Sequence, residues 1–147
     1  MKRRFETFTA LISKINRDIK KLKKLEMAEY GLRSAEISCL YFLYTGAAET
    51  VTDLAESIEE DKATVSRSLD SLERLGYVVC EADGAKRYNS AFTLTESGAA
   101  LSKLIAEKIG LVLEDISLAL SEEERESFYR SLGIISRRLD AFCKGFE

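Results

Sequence analysis

The chain has 147 residues, of which 46% are hydrophobic and 32% charged, and its formal net charge is −3. Such a length supports one globular domain with a core. No apolar run approaches the ~18 residues of a membrane helix, and MKRRFETF lacks the apolar stretch of a signal peptide, so a soluble cytoplasmic protein is expected. Histidine is absent, and the three cysteines, Cys39, Cys80 and Cys143, lie far apart. There is no Gly-rich phosphate loop either, so neither an enzyme, a metal or other cofactor, nor a disulfide framework is expected.

Before Gly31, the residues Phe5, Phe8, Ile12, Ile15, Ile19 and Leu22 recur at spacings of three and four. That pattern predicts one long helix with a narrow apolar seam. Ser34 to Tyr44 reads as a second helix with Ile37, Leu40, Tyr41 and Tyr44 turned inward. Thr50 and Asp53 form a capping pair for a short helix holding Leu54, Ala55 and Ile58. Asp61 is a good N-cap for the next, whose buried stripe is Val65, Leu69, Leu72 and Leu75. Gly31, Gly46, Gly76, Gly84 and Gly98 read as punctuation where helices stop. Tyr77 to Cys80 and Ala91 to Leu94 are short β-prone runs joined by a polar loop with Asp83 and Gly84. Leu101, Ile105, Ile109, Val112 and Ile116 suggest another long helix. Ser121 with Glu124 then forms a capping box for a last helix, with Phe128, Leu132, Ile135, Leu139, Phe142 and Phe146 along one seam. Two terminal seams are more than one small domain requires. They fit either an intrachain helical hairpin or packing against a second copy in a two-fold homodimer.

Helix, turn, helix and two strands is the order of a helix-turn-helix followed by a β-wing, which presents its second helix to the major groove of double-stranded DNA. The expected fold is mainly α with a small β-wing. Residues 31–98 form the winged helix-turn-helix, and residues 1–30 and 99–147 supply dimerisation helices within one domain, 1–147. With Val65, Leu69 and Leu72 inward, Ala63, Ser66, Arg67 and Asp70 face the other way, beside Lys62 and Thr64 in the first turn. Small residues allow close approach, hydroxyls suit phosphates or bases, and one arginine can chelate a guanine edge. Asp70 would meet a cytosine amino group or lie beyond the DNA. Lys86 and Arg87, just past the wing tip, can reach the minor groove or its phosphates, although two loop cations also serve solubility. Arg17, Lys20, Lys21, Lys23 and Lys24 are the densest basic cluster, either a solvated face or a source of phosphate contacts. Residues 31–98 hold six Lys/Arg against twelve Asp/Glu, so the placement of cations, not total charge, has to bind phosphate.

The stretches LRSAEISCLYFL, TDLAESIEEDKATVSRSLDSLERLGYV and LTESG, in that order and separation, resemble the MarR family of winged helix-turn-helix regulators. With the flanking helices the resemblance covers essentially the whole chain. It implies an obligate dimer with interlocked terminal helices and two winged domains on a pseudo-palindromic operator. It also implies a regulator, commonly a repressor, released by a small phenolic or lipophilic effector or by an oxidant. Carried over by position, recognition-helix contacts fall on Ala63, Thr64, Ser66 and Arg67, wing contacts on Lys86 and Arg87, and a phosphate contact near Ser34. The chain departs from the family in its wing, where an Asp-x-Arg pair aligns with Lys86 and Tyr88. Tyr88 packing at the base of the wing is the expected alternative. By the same resemblance, an effector site falls where Phe8, Ile12, Tyr30, Tyr41 and Tyr44 gather, although such tyrosines also serve as plain core. Redox-sensing relatives carry a cysteine early in the first helix, and this chain has Thr7, Thr9 and Ser13 there. Cys39 is expected to be a buried filler and Cys143 to be exposed. The rival to a DNA reader is a winged protein-interaction module of the antirepressor kind, favoured by the acidic centre.

Overall fold

The computed structural model describes residues 2–81 and 89–146, with side chains from Glu6 onward. Along the chain it contains α1 (Lys2–Glu26), a 3-10 turn (Ala28–Tyr30), α2 (Ser34–Thr45), α3 (Val51–Ile58), α4 (Lys62–Arg74), β1 (Val78–Cys80), β2 (Phe92–Leu94), α5 (Glu96–Leu118) and α6 (Glu122–Lys144). Mainly helical, with one two-stranded antiparallel sheet, this is the winged helix-turn-helix order read from the sequence. Among the described residues, no helix is long and apolar enough to cross a membrane.

The chain divides into two compact units, Met1–Lys108 and Ile109–Glu147. The core of the first is built from three short helices and the sheet. Ile37, Cys39 and Leu40 of α2, Val51 and Leu54 of α3, and Val65, Leu69 and Leu72 of α4 are all buried. Val78 and Phe92 from the strands, with Leu101 and Ile105 of α5, complete that core. β1 and β2 pair Val78 with Leu94, Val79 with Thr93 and Cys80 with Phe92. The Phe92 amide also donates to the Glu49 carbonyl at 2.9 Å, which ties the wing's base to the start of α3. In the second unit, Ser121 and Glu124 form the expected capping box at the start of α6, and Arg125 donates to Ser117 across the preceding turn.

The caps at the start of α3 and α4 are also where the sequence puts them. The Thr50 hydroxyl accepts from the Asp53 amide at 3.1 Å while the Asp53 carboxylate accepts from the Thr50 amide at 3.2 Å. Asp61 caps α4. Three expectations need correction. Leu75 is 55% exposed, because α4 ends at Arg74 and Leu75 already turns away from the buried stripe. Tyr44, in the last turn of α2, is 41% exposed and so meets solvent instead of the core. Gly98 stops no helix, since it lies inside the first turn of α5.

Gly98 answers a different demand. A Cβ built on it would lie 1.9 Å from the Tyr77 carbonyl oxygen. Around that contact the Thr95 hydroxyl donates to the Gly76 carbonyl at 2.6 Å and accepts from the Gly98 amide at 3.1 Å. The Ser97 hydroxyl bonds the same Gly76 carbonyl at 3.1 Å, and the Thr95 amide bonds Tyr77 O at 3.0 Å. The segment LTESG thus starts α5 and clamps it to the turn that ends α4. Because the obstructing atom is backbone, Gly98→Ala must displace the turn, and we expect a loss of about 3 kcal/mol, as for an overpacked core site. Urea unfolding measures it, and a loss no larger than that of a surface substitution would disprove the close approach.

Candidate nucleic-acid interface

The sequence starts α4 sharply. Asp61 is extended, and its Oδ1 accepts from the Thr64 amide at 2.6 Å, satisfying one of the amides a helix start leaves without a partner. Immediately before it, α3 ends on Glu59, whose φ of 56° is left-handed without being glycine. That conformation costs about 1 kcal/mol, and it sets the sharp turn between the two helices.

With Val65, Leu69 and Leu72 at zero exposure, the outer side of α4 is fixed. Lys62, Ala63 and Arg67 are exposed and Thr64 and Ser66 half-buried, so five of the sequence-nominated residues share one helix surface. Asp70 is exposed further along the same helix. Arg67 Nη2 donates to Thr64 Oγ1 at 3.1 Å. Ser68, buried, donates to the Thr64 carbonyl at 2.9 Å, and this hydroxyl is therefore committed inward. Lys86, Arg87 and Tyr88 lie outside the described residues.

Ser34 sits half-buried at the start of α2. That start is held by a buried carboxylate. Glu36, only 3% exposed, accepts from the Arg33 amide at 2.8 Å and from the Arg33 guanidinium at 3.2 Å, closing the first turn of α2. The spacing of Arg33 and Glu36 was visible, but nothing in it marked a carboxylate as buried. Ser34 also lines a cleft of about 210 Å³ with Lys20, Lys23, Ser38, Glu59 and Glu60. There Lys23 Nζ donates to Ser38 Oγ at 3.1 Å, and burial followed by the neighbouring Lys20 charge lowers the Lys23 pKa.

Of the nominated effector residues, Phe8 is half-buried and Ile12 exposed on α1, and Tyr44 is exposed on α2. Tyr41 meets Phe42 edge-on, with centroids 5.5 Å apart. Tyr30 lies under Lys108 Nζ, 5.2 Å from its ring centroid, and the same ammonium bonds the Glu26 carbonyl and Glu29. None of these five residues lines the cleft at Ser34. Cys39 is buried, and burial, reinforced by the charges of Glu36 and Glu60, pushes its pKa up to about 12, so it stays a thiol. Cys143 is exposed. Among the described residues, no three acidic or cysteine side chains gather as metal ligands.

A model of the MarR family matches residues 30–87. An uncharacterised HTH-type transcriptional regulator of Bacillus subtilis, YfiV, is 28% identical over 123 residues, covering 84% of this chain and 74% of its own. A second such regulator, from Bacillus cereus, is 29% identical over 104 residues, 70% of this chain and 69% of its own. Among solved structures, Staphylococcus aureus MepR in complex with DNA superposes with a TM-score of 0.77 at 22% identity, over 90% of this chain and 97% of that one. The transcriptional regulator SlyA gives a TM-score of 0.81 at 18% identity, over 95% and 99%. These likenesses establish the fold.

The cap of α4 predicts a pH dependence. The hydrogen bond from the Thr64 amide, aided by the Arg67 charge, holds the Asp61 carboxyl below its ordinary range. A depressed folded pKa contributes stability that is present above the unfolded value and lost as pH falls through the folded one. Asp61→Asn keeps an acceptor but not the charge. Its thermal midpoint should lie below wild type at neutral pH, and the gap should close below about pH 4. A gap that persists unchanged into acid would refute the charged cap.

Proposed function

We propose that the chain, whose residues 30–87 match a MarR family model, is a MarR-family DNA-binding transcriptional regulator that reads a pseudo-palindromic operator as a homodimer and acts as a repressor. In this reading α4 is the recognition helix. Lys62, Ala63, Thr64, Ser66 and Arg67 contact DNA, with Ser34 at a phosphate and Lys86 and Arg87 in the wing. The observation that carries it is the outer surface of α4, which combines two cations, small residues and hydroxyls over a fully buried apolar stripe. MepR, of the same fold, is known in complex with DNA.

Dimer formation is supported by apolar surface. Ile12, Ile15 and Ile19 of α1 and Phe128, Leu139 and Phe142 of α6 are all exposed in the single chain, on the seams that the sequence marks for a partner. Residues 1–30 and 99–147 then serve as dimerisation helices around the winged helix-turn-helix of 31–98, within one functional domain. A small phenolic or lipophilic effector acts, on this reading, through Phe8, Ile12, Tyr30, Tyr41 and Tyr44, whose tyrosine hydroxyls suit a phenol or carboxylate. The site of action is the cytoplasm.

The acidic balance of residues 31–98 favours a second reading, a winged module that binds protein in place of DNA. Titration of random and selected duplexes against salt separates the two. A DNA reader retains non-specific affinity at low salt, with log K falling linearly against log salt. Arg67→Ala should weaken operator binding by ~1–3 kcal/mol beyond its effect on random DNA, as a bidentate guanine contact would. Equal losses on both duplexes would make Arg67 a phosphate clamp, and no binding at low salt would favour the protein-binding module. The dimer has its own test. Ile15→Glu or Leu139→Glu places a charge at a side chain that is 49% or 52% exposed in the single chain. Sedimentation should show either variant dissociated, and an intact dimer in both would exclude these seams as the interface.

A further inference from the structure

The polar groups of Thr64 are all engaged within its own helix turn. Its amide donates to Asp61 Oδ1 at 2.6 Å, its carbonyl accepts from Ser68 Oγ at 2.9 Å, and its Oγ1 accepts from Arg67 Nη2 at 3.1 Å. Thr64 is half-buried, and its amide is pinned by the cap, so its oxygen holds a fixed place in the first turn of α4. The β-branched side chain adds stiffness at χ1.

A long arginine on an open helix surface loses much rotamer freedom when it docks on a base. Anchoring one of its nitrogens beforehand reduces that loss. A guanidinium has five N–H groups, and chelating a guanine O6/N7 edge uses two, so one bond to Thr64 leaves enough donors for the base.

We infer that Thr64 is a positioning residue for Arg67: its hydroxyl oxygen anchors the guanidinium, and Thr64 contributes to sequence reading through Arg67 and not through a base contact of its own. The inference rests on the DNA-reading assignment of α4. Asp61 supports the same arrangement from the helix start, since its carboxylate bonds the Thr64 amide and its charge attracts Arg67. Thr64, Asp61 and Arg67 thus form a short relay along one edge of the helix.

The test compares wild type with Thr64→Val, Thr64→Ala, Thr64→Ser, Arg67→Ala and the Thr64→Val/Arg67→Ala double variant. The readout is the ratio of affinities for a selected operator and a random duplex at one salt concentration. Val keeps the branched shape without the oxygen, Ala adds no bulk where Val disturbs the fold, and Ser restores the acceptor. We expect Val and Ala each to lower the ratio about fivefold, and Ser to recover it to within about twofold of wild type. In the Arg67→Ala background, Thr64→Val should change the ratio no further. Multiplying losses in the double variant would show an independent Thr64 contact and overturn the inference. So would a Ser variant as impaired as Val. An Arg67→Ala protein with an unchanged ratio but intact random-duplex binding would overturn the inference and leave the DNA-binding reading standing. Wild type that binds no duplex would overturn both.

Discussion

The buried stripe of α4 is the constraint on which the site depends. Val65, Leu69 and Leu72 recur at four and three residues, and each is wholly removed from solvent against α2, α3 and β1. Burying each such side chain contributes about 2 kcal/mol, so rotating the helix by even one residue would expose apolar surface and bury Arg67 or Asp70. That penalty far exceeds anything a single exposed hydrogen bond could return. The outward set of Lys62, Ala63, Thr64, Ser66 and Arg67 therefore follows from what the helix hides. Its chemistry is free to vary with the task, while its direction is not.

The far end of α4 is held by a second device of a different kind. Gly76 turns the chain, its carbonyl takes hydroxyl donors from both Thr95 and Ser97, and Gly98 lets the backbone of α5 close against Tyr77. One threonine oxygen acts as donor and acceptor at once, which is all a hydroxyl has to offer beyond a second lone pair. α4, the sheet and α5 thereby share one junction.

Patterns with a physical period were legible in the sequence, and departures from period were not. The caps at Thr50, Asp61 and Ser121 announced themselves because a side-chain oxygen followed by a helical run has few other uses. The strand pair followed from β-prone runs around a turn loop, and the buried stripe from helical spacing. Leu75 continued a spacing one step past the end of α4, and Tyr44 continued one into the last turn of α2, where the helix leaves the core, so extrapolation carried both inward when solvent claims them. Gly98 looked like a stop because glycine commonly ends helices, while its true constraint is a carbonyl distant in sequence that no local pattern reveals. Glu36 was unreadable for a similar reason: burial of a carboxylate depends on what packs above it. At the site, the spacing placed Thr64 and Arg67 near each other, but only coordinates show which donates to which.

The charge distribution explains why position matters so much on the proposed reading. The winged helix-turn-helix is acidic, and the densest basic run lies instead on α1. Part of that run is engaged within the protein, since Lys23 donates to Ser38 in the cleft and burial lowers its pKa. A reader built this way has few cations near the groove, and each neutralised phosphate adds only about 0.9 to the logarithmic salt slope. Non-specific attraction is then modest, and discrimination has to come from a small number of well-held donors. Under that economy an arginine anchored by its own helix is worth more than an additional free lysine, because the free lysine would strengthen binding to every sequence alike. If a second copy joins as proposed, it doubles the set and raises specific affinity without raising the charge of either winged domain. On that reading, the exposed apolar seams of α1 and α6 and the sparse cations of α4 are two sides of one arrangement.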